Sequence, residues 1–445
     1  MDTKAQPTTH VASAAAAAKP RLFYGWVIVL GAAAADVLTY GIGTVAFGIF
    51  FRFMSDAMEW SRGLLSSVLL LGRLTSLVAN PILGPMVDRY GPRWIMLGGT
   101  IAFGLGAFAM AAINAPWQFF IAYGGLITLG SAALGGNITH TVVAKWFVRK
   151  RGRALAMVTM SLSGAGVIIP LPLAFLISML GWRGAWIGVG IFVFVVGTAS
   201  SLVMRRQPED YGLLPDGDIP GQEAQPSNGL LTTGKRPSAA QEISLSAKEA
   251  VRTPAFWLMI LSTNASGMAI MGINIHLVSY LLDRGFALGT AAGIVSFMYV
   301  MNTVAKPVWG LVTERLAVRY CIGICYLGGG VGTLLLLGVT SLPWAILFGV
   351  VFGLTRGATS FLTSLAWADY FGRRSQGSIR GISSVFGILA GAGGPVVAGF
   401  VYDATGSYTI AFLMFAVAFW VGAIFMVMAK PPQTKMAAPV TSPGA

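Results

Sequence analysis

Long apolar runs alternate with short polar ones along this chain, and the runs are too long to be strands. Twelve of them approach the roughly 20 residues that a bilayer-crossing helix needs. They span approximately 24–51, 63–86, 94–113, 117–144, 153–178, 184–204, 254–282, 289–312, 320–340, 343–369, 381–402 and 407–429. A barrel strand would need only about ten residues of alternating character. The pattern therefore predicts an all-α integral membrane protein with twelve transmembrane helices.

After the sixth run the apolar pattern gives way to Pro, Gly, Gln and charge over 205–252, the composition of a linker, with a short amphipathic helix expected near Ser244–Val251. The expected organisation is a disordered cytoplasmic tail (1–20), an N-terminal six-helix half (21–204), a cytoplasmic linker (205–252), a C-terminal six-helix half (253–430) and a second cytoplasmic tail (431–445). The halves repeat one another. "NPILGPMVDRYGPR" (Asn80–Arg93) aligns with "KPVWGLVTERLAVR" (Lys306–Arg319), and "KWFVRKRGRALAM" (Lys145–Met157) aligns with "DYFGRRSQGSIRG" (Asp369–Gly381) at nearly the same offset. In duplicated units of this kind substrate sites lie near the midplane between the repeats, and access alternates as one half rocks on the other.

"GPMVDRYGPR", with its degenerate second copy after the eighth run, resembles the loop between helices two and three of the major facilitator superfamily. The resemblance covers about 21–430 and implies that superfamily's fold of two pseudo-symmetric six-helix halves. "YGWVIV" (Tyr24–Val29), "WFVRKRGRALAM", "EDYGLLPDG" and "GPVVAGFVYDATGSYTIAF" (Gly394–Phe412) resemble the monocarboxylate-porter and oxalate/formate-type branch.

Composition agrees with a membrane protein: 55% of the 445 residues are hydrophobic, 10% are charged, and mean hydropathy is +0.73. The net charge of +14 invites a nucleic-acid partner, but its distribution argues against one. With both termini inside, 23 of the 30 Lys and Arg fall in the cytoplasmic tails and connections, four lie outside and three lie within spans. This positive-inside bias places both termini in the cytoplasm and the chain in the inner (cytoplasmic) membrane as a multi-pass protein. Cys321 and Cys325 are four apart, without nearby ligand partners, and read as small buried apolar residues.

Ionisable groups deep in a span cost at least ~2.5–3.5 kcal/mol and default to functional candidates. Asp36, Arg73, Lys306 and Arg356 are of this kind. Tyr299, Asn302, Thr303 and Lys306 form one helical stripe; Arg356, Thr359, Ser360, Thr363 and Ser364 form a second; Asp36, Thr39, Tyr40, Gly43 and Thr44 form a third. Polar lines turned inward from several helices describe an aqueous cavity, and a cavity with three cations and one carboxylate suits an anion. The candidate substrate residues are Lys306, Asn302, Tyr299, Arg356, Tyr40 and Arg73; Arg73 could equally serve hydrogen bonding between helices.

Helix eight of monocarboxylate porters carries an acidic or amide residue, an arginine four positions later and a proline, and here the pattern reads Asn302, Lys306 and Pro307. The resemblance implies that Lys306 partners the substrate carboxylate, as a point charge in place of a planar fork. Asn302 removes the usual proton-coupling candidate at that spot. Asp36 is the nearest substitute, with His140 as a second candidate; the competing reading makes Asp36 a fixed ion pair with a basic residue on a neighbouring helix.

Asp88, Arg89, Arg93, Glu314 and Arg315 sit where helix ends meet cytosol, and a carboxylate there can accept from the N-terminus of a neighbouring helix and latch the halves. For Arg93 simple topogenic charge is an equal reading. His276, within two turns of the outer end of its run, reads as an outer-gate contact.

The expected function is secondary active transport of a small organic anion, a monocarboxylate, with protons. Export of a hydrophobic drug or metabolite is the alternative. Nothing indicates catalysis: three histidines in all, no nucleotide loop and no nucleophile set argue against an enzyme, and no metal or cofactor is expected. The expected partners are the organic acid, protons and the lipid bilayer, with no nucleic acid, in an architecture that can work as a monomer.

Overall fold

In this computed structural model, residues 23–148, 150–217, 245–371 and 376–432 are described. The tail 1–20, most of the expected linker and residues 433–445 lie outside the described residues. Ten continuous stretches are long and apolar enough to cross a membrane. One of them, Gly152–Val203, turns back at Gly181, whose φ of 68° suits glycine and which brings Leu176 within 3.6 Å of a Cβ placed at Gly188. It crosses twice, and Gln376–Thr405 is a further long helix, so the twelve expected crossings are present.

The helices are α1 (Tyr24–Met58), α2 (Arg62–Tyr90), α3 (Pro92–Ala111), α4 (Pro116–Trp146), α5 (151–180) and α6 (182–203) in the first half. The second half has α7 (Pro254–Asp283), α8 (Leu288–Val312), α9 (Val318–Leu337), α10 (Leu342–Phe371), α11 (Gln376–Thr405) and α12 (Thr409–Met428). With twelve alternating crossings, the start of α1, the end of α12 and the link between the halves share one end of the bundle, the terminus end. The opposite face is the far end.

Local signals set the boundaries. Ser61 accepts from the Leu64 N–H at 3.1 Å and opens α2; Thr253 accepts from Phe256 N–H at 3.3 Å and is followed by Pro254 at the first position of α7. The short helix expected before α7 is Ala247–Val251, with a capping box between Ser246 and Glu249. α1 runs past its apolar stretch to Met58 because Arg52 and Asp56 pair one turn apart at 2.6 Å. Asp216, from "EDYGLLPDG", accepts from the backbone N–H of Val148 and of Lys150, both at 3.0 Å, and so ties the chain after α6 to the α4–α5 connection.

Within the first half α3 packs on α6 and α1 on α5; within the second, α9 packs on α12 and α7 on α11 and α12. Stacked rings fill the first half, with Phe50 and Trp186 at 4.3 Å. Across the halves the contacts are α2 with α11, α5 with α8, and α1 with α7. Large apolar side chains such as Trp94, Phe175, Val195 and Ile424 remain exposed on the outside, a surface suited to hydrocarbon. Cys321 and Cys325 are buried and free, as the sequence implies.

Small residues set how closely helices approach. A Cβ on Gly394 of α11 would lie 1.9 Å from the Met268 carbonyl oxygen of α7, whereas one on neighbouring Gly393 would meet nothing within 4 Å. Gly394→Ala should therefore destabilise the protein by about 1–3 kcal/mol through overpacking, while Gly393→Ala is neutral or slightly stabilising. Thermal unfolding of both variants in detergent checks this; equal midpoints would refute the close approach.

Candidate functional site

The apolar helices are interrupted where they face one another across the centre. α1 is π-helical over Gly41–Ala46 and α4 over Phe120–Ile127, the kind of local widening that often accompanies a site. α4 breaks again at Gly135, and α10 breaks at Gly357, between Arg356 and Thr359. Gly357 sits there because a Cβ would lie 2.2 Å from the Asn302 carbonyl oxygen of α8.

A cavity of about 160 Å³ lies against the two π-helical segments. Its polar lining is Arg73 and Ser76 of α2, Thr39 and Thr44 of α1, and Thr128 and Ser131 of α4; Met271, Ile275 and Gly391 close it from the second half. The Tyr123 hydroxyl on its wall donates to the Gly43 carbonyl at 2.9 Å. A second cavity, of about 340 Å³, adjoins it at Met271 and Gly391 and continues past Asn264, Thr363 and Trp367.

The three deep cations differ in their engagement. Lys306 donates to Ser163 Oγ of α5 at 2.8 Å, and Ser163 in turn donates to Asn302 Oδ1 at 3.3 Å. Arg356 Nη2 donates to the Tyr40 hydroxyl at 3.2 Å, its guanidinium lies 5.0 Å above the Tyr299 ring, and its buried Nη1 has no hydrogen-bond partner among the described residues. The Tyr40 and Tyr299 hydroxyls are 3.0 Å apart, so this cluster joins α1 to α8 and α10 across the halves. Arg73 makes no hydrogen bond or ion pair to a described residue; its guanidinium rests beside Gly391, where a Cβ would approach it to 3.3 Å. The stripe on α8 thus faces the other half as its periodicity predicts, and the stripe on α10 is interrupted by the break at Gly357.

Asp36 is fully buried and turns towards α4. Its Oδ1 accepts from Thr139 Oγ1 at 3.0 Å and its Oδ2 lies 3.1 Å from Nε2 of His140. The two residues named as proton-coupling candidates are in contact, and the same contact gives Asp36 a basic neighbour on another helix, the kind of partner the competing reading names.

The far end is shut by groups from both halves. Asp403, at the end of α11, accepts from the backbone N–H of Arg62 at 2.8 Å and of Gly63 at 2.7 Å, the exposed donors at the start of α2. The Arg62 side chain donates to Asp283 of α7 at 2.8 and 3.2 Å and to the Tyr408 hydroxyl at 2.6 Å, with its guanidinium 3.7 Å above the Tyr402 ring. Arg52 pairs with the same Asp283. The approach is backbone-close: a Cβ on Gly399 would lie 2.6 Å from the Arg62 carbonyl oxygen. His276 lies directly beneath, bonded to Tyr408 and to the Pro395 carbonyl.

At the terminus end, Arg89, Glu314 and Arg315 are exposed, and none makes an ion pair with a described residue. Arg89 rests on Tyr90 and Arg93 on Trp94. The side chain of Asp88 lies outside the described residues. The latch that the sequence suggested on Asp88 falls outside the described side chains; a carboxylate at a helix N-terminus is seen at the opposite end, on Asp403. Asp283, Asp403 and Tyr408 drew no attention as a site because no periodicity links groups on separate helices. The available signal was the acidic residue and tyrosine of "VYDATGSY" beside an arginine opening α2.

Two helical halves, a cation-bearing cavity between them and one end shut across the halves define a membrane transporter. Residues 32–302 and 287–444 match the Major Facilitator Superfamily, and the chain belongs to that superfamily. Over 416 residues it is 26% identical to Monocarboxylate transporter 12-B of Danio rerio, covering 88% of this chain and 84% of that one. Over 419 residues it is 25% identical to MFS transporter asaE of Aspergillus flavus, covering 91% and 86%. The crystal structure of a bacterial homolog to the human lysosomal transporter Spinster, inward-facing and unoccupied, superimposes with a TM-score of 0.65 at 15% identity over 93% of this chain and 96% of that one, which supports the fold. The resemblance to the monocarboxylate branch and the expectation of a transporter in place of an enzyme are both borne out.

Asp403→Asn should loosen the far end, because a hydrogen bond to a charged group contributes about 1.5–3 kcal/mol. In a background without Cys321 and Cys325, a cysteine at Thr44 should react about tenfold faster with an impermeant thiol reagent added at the far face. An unchanged rate would show that Asp403 does not hold the halves together.

Proposed function

We propose that this protein is a secondary transporter that carries a small organic anion, a monocarboxylate, across the cytoplasmic membrane by alternating access and with protons. The observation that carries the reading is Arg73: a deep guanidinium with no hydrogen-bond or ion-pair partner among the described residues, set among hydroxyls in a cavity between the halves. A group that costs energy to place in a membrane persists when something it binds repays it. A carboxylate with a small apolar body matches the lining, in which Val68, Leu69 and Ile127 accompany the polar groups. The names of related transporters point to the same substrate class.

Lys306 and Arg356 supply further positive charge across the seam, and the unpartnered Nη1 of Arg356 gives a second donor to an arriving anion. A single carboxylate is favoured because 381–402 of α11 contains no Lys or Arg. The Asp36–His140 contact is the proposed proton site, since a proton there neutralises a fully buried carboxylate. The positive-inside distribution supports a cytosolic terminus end; on that orientation the closed far end is the outer one, and the proposed cycle is at its cytosol-facing stage.

Uptake of labelled aliphatic and aromatic monocarboxylates into proteoliposomes, with and without an inward proton gradient, tests this. Wild type should accumulate at least one acid only when the gradient is present. Arg73→Gln and Lys306→Gln should each reduce uptake ten- to a hundredfold, the scale of one charge-assisted contact, with Lys306→Arg retaining part of it. Absence of flux for every acid would move export of neutral or cationic compounds to first place. In the same vesicles Asp36→Asn should retain exchange of the acid while losing accumulation driven by the gradient; retained accumulation would remove Asp36 from the coupling.

A further inference from the structure

The closed far end contains an imidazole whose hydrogen bonds admit one charge state. His276 is fully buried, its Nε2 is 2.9 Å from the Pro395 carbonyl oxygen and its Nδ1 is 2.9 Å from the Tyr408 hydroxyl. A carbonyl oxygen only accepts, so Nε2 carries a hydrogen. Ser66 Oγ, 3.3 Å from the same nitrogen, already spends its own hydrogen on the Arg62 carbonyl at 2.8 Å and also accepts. On the other side, Arg62 Nη1 donates to the Tyr408 oxygen at 2.6 Å, which leaves the Tyr408 O–H to donate to Nδ1. The chain of donors runs from Arg62 to Tyr408 to His276 to Pro395, and each group is satisfied with the imidazole neutral.

A second proton on the ring breaks that chain. Nδ1–H would oppose the Tyr408 oxygen that already accepts from Arg62, the tyrosine hydrogen would lose its acceptor, and two cations would stand one hydroxyl apart. Among the described residues no carboxylate reaches the ring to compensate. Asp283 of α7 is occupied by Arg62 and Arg52, and both oxygens of Asp403 are taken by backbone donors of α2. Further neighbours among the described residues are the Phe51 ring of α1, at 4.8 Å, and, beyond Tyr408, the tilted Tyr402 ring and the edge-on Tyr280 ring. Ser66, Arg62 and Phe51 belong to one half and His276, Tyr408 and Pro395 to the other, so separating the halves at this end exposes the imidazole to water.

We propose that His276 is a proton-binding site built into the far-end closure, neutral while the end is shut and protonated once it opens, so that acid favours the open state. The sign follows from linkage: the open state binds one more proton than the closed state, so closure is fully stable above the ordinary imidazole range and is lost as pH falls through it. This site is separate from the Asp36–His140 contact, and it requires no substrate, so it stands whether or not the permeant is a monocarboxylate.

The test is pulsed electron–electron distance measurement in nanodiscs on a protein lacking Cys321 and Cys325, with spin labels at Ala112 and Thr340, exposed far-end positions on opposite halves. Between pH 8 and 5, without substrate, the ratio of long to short distances should rise by up to tenfold per pH unit below about 6.5, the limit for one proton. His276→Gln, which cannot gain the charge, should abolish the rise, and Asp36→Asn should leave it intact. A distance distribution that is flat in wild type overturns the proposal by itself. So does a rise that survives in His276→Gln, or one that disappears in Asp36→Asn, since either places the responsible proton elsewhere.

Discussion

A charge within hydrocarbon must either be paired or face a polar space, and the arrangement of this bundle follows from that constraint. Each deep charge lies on a helix face turned to another helix: Asp36 to α4, Lys306 to α5, Arg356 to α1, and Arg73 to the cavity beside α11. The halves are therefore apolar on their outer faces and tightly packed inside, and they meet along a polar seam. Packed cores deform little, whereas hydrogen bonds between hydroxyls, guanidinium groups and backbone can be exchanged for others. Motion of one half on the other is the least costly change available to such a structure.

Polar contacts lie both within the first half and between the halves. The Asp36–His140 pair lies wholly within the first half, so its proton can change without parting the halves. The Tyr40, Tyr299 and Arg356 cluster bridges them. The guanidinium that bonds Tyr40 through Nη2 keeps Nη1 unpaired among the described residues, so the bond across the seam and the open donor belong to one group. The far-end closure adds a third layer, in which Arg62 is held by a carboxylate, a phenol and an aromatic face.

The fold was legible because twelve apolar runs and a duplicated loop are long, redundant signals. Parts of the site were legible for the same reason: Tyr299, Asn302 and Lys306 share a helical period, and α8 is continuous there. The period was less informative on α10, where the break at Gly357 separates Arg356 from the threonines and serines that follow. Asp36 was recognisable as buried, but its partner depends on how α4 packs beside α1. The far-end cluster was hidden for a different reason. Arg62, Asp283, Asp403 and Tyr408 lie at helix ends, where a charge is ordinary, and only the tertiary arrangement shows that they converge.

The contact between Asp403 and the start of α2 has a consequence for how this closure tolerates sequence change. Its donors are main-chain groups, which every residue other than proline provides. Replacing Arg62 alters the side chains around the contact but leaves its N–H in place, whereas Gly63 must stay small, because a Cβ there would lie 2.7 Å from Asp403 Oδ2. Genetic drift can reach this half of the closure at few places, the carboxylate of Asp403 and the two glycines, Gly63 and Gly399, that let the backbones approach, so the burden of preserving it rests on a handful of codons.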